Sequence, residues 1–385
     1  LTFKPLFSRS LAADPTRLHF AAHSHHLWPD AALAGHAQAG EDAARLADRK
    51  WDKVMGEVWP EAQAHVAREI GTDDPDAIVF SSNTHDFLVR LFSVVPRTGR
   101  LKVLTTDGEF HSARRQLARW EEAGTVEVER VAAEPFETLG DRFIERARSG
   151  DHELILVSEL LFGSGALFQP LSELTALGRP EGPWVVVDGY HSFMAIEAPF
   201  AEAAGDRAFF LGGAYKYAMS GEGAAFMHAP PGYGLRPYVT GWFAEFEDLS
   251  LPPGAVGYAP DARRFLGATF DPSALYRFNA VQRMLRENGL TTARISGHAA
   301  TLQKRLLEQL DRTPLADAEL LNPLTEGPHA RFLAFRSPDA QRWYERLKAK
   351  NVITDVRGQV LRIGFGIYQD DGDVDALVSH LEGLR

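Results

Sequence analysis

The sequence contains no cysteine. Disulfides, thiolate metal sites and cysteine nucleophiles are therefore excluded. Long apolar runs are missing too: none approaches the roughly 20 residues that a membrane-spanning helix needs. Leu1 to Ser10 has no apolar core like that of a signal peptide. A cytoplasmic location without a membrane partner is the expectation. Positive charge is in deficit, with 41 Lys and Arg against 52 Asp and Glu and a net charge of -11. That balance disfavours a nucleic-acid backbone as partner. An anionic cofactor would then need a local anion site, such as a helix start. Familiar nucleotide and hydrolase signatures are also missing. There is no Gly-x4-Gly-Lys-Ser/Thr phosphate loop and no Gly-x-Ser-x-Gly elbow, and Gly163-Ser164-Gly165 lacks the third glycine of a dinucleotide turn, since position 168 is Phe.

What is present reads as an α/β enzyme. The 385 residues exceed one ordinary core and indicate a large domain with a smaller companion. Short apolar runs alternate with helical stretches from about residue 76. Strands are expected at 77–80, 101–104, 126–131, 154–157, 184–187, 207–211 and 224–227, with helices at 84–95 and 112–123. The runs Leu154-Ile155-Leu156-Val157 and Trp184-Val185-Val186-Val187 are continuous, as in strands buried on both faces. The alternation predicts a mostly parallel sheet, of the seven-stranded type, covered by helices. The last third reads as an α+β layer, with helices at 272–287, 291–310, 339–348 and 374–384 and strands at 331–335, 352–354 and 360–363. The expected division is a large domain over 51–269 and a small domain from 1–50 plus 270–385.

In open α/β sheets the functional groups gather beyond the carboxyl ends of the strands. Asp188 ends one apolar run, Lys216 follows another, and Ser81 to Thr84 leads from a strand into a helix. This set matches the needs of pyridoxal 5′-phosphate (PLP). Its aldehyde requires a lysine amine, its pyridine nitrogen a carboxylate, its phosphate a helix start with hydroxyl donors, and its ring a flat partner. Lys216, Asp188, Asn83 with Thr84, and Phe110 supply these in order.

At this point the chain resembles a known family. Val187-Asp188-Gly189-Tyr190-His191 is similar to the Asp-x-x-His pattern of kynureninases, which belong to the class-V aminotransferase group of fold type I PLP enzymes. Ala214-Tyr215-Lys216-Tyr217, continuing to Gly221-Glu222-Gly223, resembles that family's Ser-Tyr-Lys-Tyr segment. Gly241-Trp242-Phe243 matches its Gly-Trp-Phe, and Leu361-Arg362-Ile363 with Tyr368 resembles its substrate-carboxylate segment. The resemblance runs in order from about His19 to the end.

The resemblance implies a role for each matched position. Lys216 would bind the cofactor as an imine and then act as base. Asp188 would pair with the pyridinium nitrogen, and His191 would support the cofactor. Phe110 would stack on the ring. Asn83 and Thr84 would hold the phosphate, Ser112 would bind the cofactor, and Ser158 would touch it from its strand end. Tyr215 would reach the phosphate and relay a proton. Trp242 and Thr269 would contact the phosphate, in such folds often across a homodimer interface with shared active sites. Arg362 would clamp the α-carboxylate of a small amino-acid substrate with its two-pronged donor geometry.

The departures bear on the substrate. An early family turn, Asp-Gly-Asn-Ser-Leu-Gly, corresponds to Ala21-Ala22-His23-Ser24-His25-His26. His23 and His25 share a face if the segment is extended and are candidate substrate contacts. A metal is not expected there, because no nearby carboxylate or cysteine completes a ligand set. The family's Phe-Pro-Ser-Asp becomes Phe110-His111-Ser112-Ala113, losing one polar contact. The reaction expected from the resemblance is hydrolysis of a Cβ–Cγ bond in kynurenine or a related substrate. The alternative is a class-V aminotransferase or another PLP-dependent lyase. A desulfurase that relays sulfur through its own cysteine is excluded by composition.

Overall fold

Thirteen strands are present among the described residues, seven of them in the main sheet. The computed structural model describes residues 2–197, 200, 202, 206–246 and 250–385. In chain order the strands are β1 (Leu18–His19), β2 (Ile78–Ser81), β3 (Leu101–Thr106), β4 (Val126–Val131), β5 (Leu154–Ser158), β6 (Trp184–Asp188), β7 (Ala208–Gly213), β8 (Ala225–His228), β9 (Glu319–Leu320), β10 (Phe332–Arg336), β11 (Val352–Ile353), β12 (Asp355–Arg357) and β13 (Val360–Gly364). The longer helices are α1 (Asp30–Leu46), α2 (Trp59–Ile70), α3 (Thr84–Val94), α4 (His111–Glu122), α5 (Leu139–Ser149), α6 (Ser273–Glu287), α7 (Thr292–Leu307), α8 (Ala340–Lys348) and α9 (Asp371–Glu382).

The main sheet has the order β2-β8-β7-β6-β5-β3-β4. All its neighbours pair in parallel except β8, which runs antiparallel to both β7 and β2. The carboxyl ends of β2, β3, β5, β6 and β7 therefore open onto one edge. The continuous apolar runs behave as their composition predicts: β5 and the apolar part of β6 are almost wholly enclosed because helices cover both faces. β7 runs two residues beyond the expected 207–211, since Gly212 and Gly213 pair with Phe226 and Ala225 of β8. That extension carries the chain to the doorstep of Lys216.

A second, smaller sheet has the order β12-β13-β10-β9. It packs with α7, α8 and α9 around its own core, which includes Leu302, Leu333, Trp343, Leu361 and Leu377. Helix α6 belongs instead to the large core, through Leu275, Phe278, Val281 and Leu285. It lies close against α1, where a Cβ on Gly35 would stand 2.6 Å from the Tyr276 carbonyl oxygen. Asp370 caps α9 in a reciprocal box with Asp373, so the acidic run there serves a helix start.

The N-terminal segment ties the two sheets together. β1 pairs in parallel with β11, Ala21 bridges Gly364, and the His26 N–H donates to the Tyr215 carbonyl at 3.3 Å. The turn containing His23, His25 and His26 is thereby brought beside Lys216.

Candidate functional site

A cavity of about 270 Å³ lies beyond the sheet edge, lined by Ser82, Asn83, Thr84, His85, Phe110, Ser112, Asp188, Tyr190, His191, Tyr215, Lys216, Glu222 and Gly223. Asn83, Thr84, Phe110, Ser112, Asp188, His191, Tyr215 and Lys216 were all expected from the sequence. A wider groove of about 1370 Å³ opens nearby along α4, lined by His111, Arg114, Arg115 and Arg119. The chemistry belongs to the smaller space, because the amine and the carboxylate face it.

Lys216 follows β7 in a tight loop held by Ala214 N–H to Ala224 O at 2.9 Å and Ser220 N–H to Ala214 O at 2.8 Å. Met219 within that loop has φ +56°, a left-handed conformation that costs energy in a non-glycine residue. The loop thus holds the lysine in one place. Its Nζ lies 2.6 Å from His191 Nε2 and 5.0 Å and 5.5 Å from the ring centres of Tyr190 and Phe110. Burial pulls the amine down to about 7, with Asp188 opposing and Arg362 reinforcing the shift. A free amine is the nucleophilic form that condenses with an aldehyde.

Asp188 ends β6. Its Oδ1 accepts the Tyr190 N–H at 2.9 Å, and its other oxygen has no protein donor among the described residues. Burial raises the carboxyl against the opposing pull of that N–H and of Lys216. The imidazole of His191 is pushed well below its ordinary value, first by burial and then by Lys216, so it is neutral and able to share a proton with the amine.

At the other end of the cavity α3 begins. The Asn83 side chain accepts the Asp86 N–H at 3.0 Å, which fixes the first turn. Ser81 and Ser82 donate to Asp86 at 2.9 and 3.0 Å. The leading N–H groups of α3 and the hydroxyls of Thr84 and Ser112 remain for an anion, at the positive end of the helix dipole.

Other expected residues lie elsewhere. Ser158 spends its hydroxyl on Glu109 at 2.5 Å. The Trp242 Nε1–H donates to Thr269 Oγ1 at 3.2 Å, and neither lines the cavity. The three imidazoles of the N-terminal turn part company. His23 is buried and stacks on Phe332 with centres 4.8 Å apart. His25 stacks on Tyr215 at 5.0 Å, on the solvent side. The Nδ1 of His26 meets the Leu27 carbonyl at 2.8 Å. Arg362 is buried against Asp355 rather than in the cavity wall.

Sequence reasoning missed three neighbours. Tyr190 sits inside a quoted motif without a role, yet it forms part of the wall. The signal was Gly213, where a Cβ would strike the Tyr190 ring and hydroxyl at 2.3 Å. Glu109 is a buried carboxyl that accepts from Thr106 Oγ1 at 2.7 Å and the Ser158 N–H at 3.2 Å. Burial pushes it up to about 7, against the hydrogen bonds from Ser158 and Thr106 and aided by Asp188. Asp355 could be recognised only once β12 and β13 were seen paired.

The model of the aminotransferase class-V family matches residues 48–377. The chain belongs to the class-V aminotransferase family. Its cofactor is PLP, and the cavity fits it: an amine, a carboxylate oxygen without a partner among the described residues, an aromatic face and a helix N-terminus all border one space. Comparison with curated proteins gives no match. Among solved structures, the apo cysteine desulfurase from Thermococcus onnurineus NA1 is 18% identical, with TM-score 0.81 over 100% of this chain and 98% of that one. The cystine C-S lyase C-DES, in complex with its product cysteine persulfide, is 16% identical, with TM-score 0.79 over 95% of this chain and 97% of that one. A variant of C-DES with glycine covalently linked to the PLP cofactor is 16% identical, with TM-score 0.80 over 97% and 98%. At these identities the likeness shows the fold. Among the described residues, no helix is long and apolar enough to cross a membrane.

Proposed function

We propose that the protein is a PLP-dependent lyase acting on an L-amino acid, with Lys216 holding the cofactor and carrying the substrate's α-proton. The observation that carries this reading is the buried Lys216 amine, in contact with His191 and sharing with Asp188 a cavity that ends on the start of α3. When bound, PLP withdraws electrons from the Cα of an attached amino acid. The residues of the chain do the remainder. Asp188 would keep the pyridine nitrogen protonated. Phe110 would cover the ring, and Asn83, Thr84 and Ser112 would hold the phosphate end. Lys216, with its amine near neutrality, takes up and returns a proton at pH 7. Burial pushes the Tyr215 phenol up to about 12, so Tyr215 serves as a hydrogen-bond donor and not as a base. Arg362 is the carboxylate clamp.

Loss of a β-substituent suits a chain without cysteine, because no protein thiol is needed to receive the leaving group. With L-cystine, one water would enter, and cysteine persulfide, pyruvate and ammonia would leave. The second reading is hydrolysis of kynurenine to alanine and anthranilate, favoured by Tyr215-Lys216-Tyr217 and Gly241-Trp242-Phe243.

A homodimer is part of the proposal. Leu235, Tyr238 and Trp242 are 59%, 84% and 47% exposed on one stretch of chain, apolar side chains that a second subunit would cover. Trp242 and Thr269 would then face the partner's phosphate.

The test is an absorption spectrum of the PLP-loaded protein before and after L-cystine, L-kynurenine, or an amino donor with a keto acid, each with product analysis. Pyruvate and persulfide support the lyase. Anthranilate and alanine establish the second reading, and exchange of amino groups establishes an aminotransferase. A protein that takes up no PLP overturns all three.

A further inference from the structure

Arg362 already has a carboxylate partner. Asp355 lies directly opposite it in the antiparallel β12–β13 pair, and Asp355 Oδ2 accepts from Arg362 Nη2. The second oxygen, Oδ1, accepts from Arg357 Nη1 at 2.6 Å. Arg362 Nη1 donates to the Phe162 carbonyl, while its Nε has no partner among the described residues. His23 lies against this group, with Nε2 3.7 Å from Asp355 Oδ2 and, among the described residues, no hydrogen bond at either ring nitrogen. Arg362, Asp355 and His23 are 2%, 6% and 0% exposed.

Two guanidiniums thus share one carboxylate, and enclosed donors stand unused beside them. A buried guanidinium without any partner is strongly unfavourable, so an empty clamp needs a resident anion. The hairpin supplies that anion by register. Asp355 can also lose Arg362 without being stranded, because Arg357 still holds it and Arg357 has 41% of its side chain in solvent. Exchange of one carboxylate for another conserves the charge-assisted hydrogen bonds of Arg362.

We propose that Asp355 is a resident placeholder on the substrate clamp: it holds Arg362 in the free enzyme and gives it up to the α-carboxylate of an incoming amino acid, while Arg357 retains Asp355. This rests on the reading of Arg362 as the clamp. The substrate class that follows is α-amino acids with a free carboxylate. An amine or an amino-acid amide offers no carboxylate to replace Asp355 on Arg362 and leaves the placeholder where it is.

The experiment titrates the PLP-loaded full chain with L-alanine and with L-alaninamide and follows the cofactor absorption band. Asp355→Asn is expected to bind L-alanine about tenfold more tightly, the scale of one charge-assisted hydrogen bond no longer in competition, with L-alaninamide unchanged. Arg357→Gln is expected to weaken L-alanine severalfold and to spare L-alaninamide. A folded Asp355→Asn protein with unchanged or weaker L-alanine binding overturns the placeholder. If that variant does not fold, unchanged L-alanine binding by Arg357→Gln overturns it instead. Arg362→Gln separates the underlying reading. Loss of the preference for L-alanine over the amide upholds the clamp, whatever the other variants do. Retention of the preference removes both the clamp and its placeholder.

Discussion

Lys216 Nζ stands 2.6 Å from His191 Nε2, and His191 is the third residue beyond Asp188. One strand end therefore supplies both a carboxylate that lines the cavity and the imidazole that meets the amine. Both groups act on a lysine held by the next strand, so their spacing is fixed by the β6–β7 pairing and not by a mobile loop.

The depressed amine has a consequence for the cofactor-free protein. Lys216 titrates near 7 when folded and near 10.5 when unfolded. Between those values the unfolded chain binds the extra proton, so this residue makes stability rise with pH across that window. Melting temperatures of the apoprotein from pH 6 to 10 are expected to show the rise, and Lys216→Met is expected to flatten it. An equal slope in the variant would assign the effect to other groups.

Asp188→Asn removes the charge proposed to keep the pyridine nitrogen protonated while retaining an acceptor for the Tyr190 N–H. PLP should still attach to Lys216 and give an absorption band. Turnover on whichever amino acid proves to be the substrate should fall by about 100-fold or more, the scale of losing one preorganised charge in a dry site. Normal turnover with full PLP content would remove Asp188 from the assigned role.

Tyr190 and Gly213 are complementary in shape. Gly213→Ala would drive a Cβ into the Tyr190 ring and is expected to destabilise the protein by about 1–3 kcal/mol, as overpacking does, and to loosen PLP. Adding Tyr190→Ala should recover part of the loss. The check is a double-mutant cycle in urea: purely additive effects would mean the two residues do not meet.

The fold was legible because its strongest signals are local. Continuous runs such as Leu154 to Val157 and Trp184 to Val187 can hardly be anything but enclosed strands, and the turns beyond them located Asp188 and Lys216. Motif order then gathered Asn83, Thr84, Phe110, Ser112 and Tyr215 around one cavity. What stayed hidden depends on register and packing between distant segments. Asp355 meets Arg362 only because a two-residue turn sets them opposite each other. Ser158 is drawn to Glu109, from a different strand end. His23 is carried inward by the β1–β11 pairing, which two residues per strand cannot announce. The motifs pointed to PLP, which the family match supports, whereas the kynureninase assignment drawn from the same motifs gains no support from that match or from the solved structures, because leaving-group choice is written in side-chain placement and not in the motifs shared across the group.

Trp242 tests the dimer. If its exposed ring and its neighbours Tyr238 and Leu235 form an interface, Trp242→Ala should weaken self-association and speed PLP release together. Sedimentation velocity gives the first and absorbance after dilution the second. A monomeric wild-type protein, or a dimeric variant with unchanged PLP release, would place Trp242 outside the site.

Glu109 gives a pH effect in the opposite direction from Lys216. Its carboxyl titrates near 7 when folded and near 4.5 when unfolded. Between these values the folded state holds the extra proton, so stability contributed by this residue is full below about 4.5 and is lost as pH rises toward 7. The cause is burial, only partly offset by donors from Thr106 and Ser158, with Asp188 adding repulsion. Glu109→Gln keeps an oxygen for the Thr106 hydroxyl and the Ser158 N–H, and the Ser158 hydroxyl can rotate to accept from the amide. The variant should therefore fold, melt higher than wild type at pH 7.5, and lose the advantage at pH 5. Urea midpoints at the two pH values decide it. A variant less stable at both would mean that Glu109 is needed as an anion, paired with its donors and not protonated at rest.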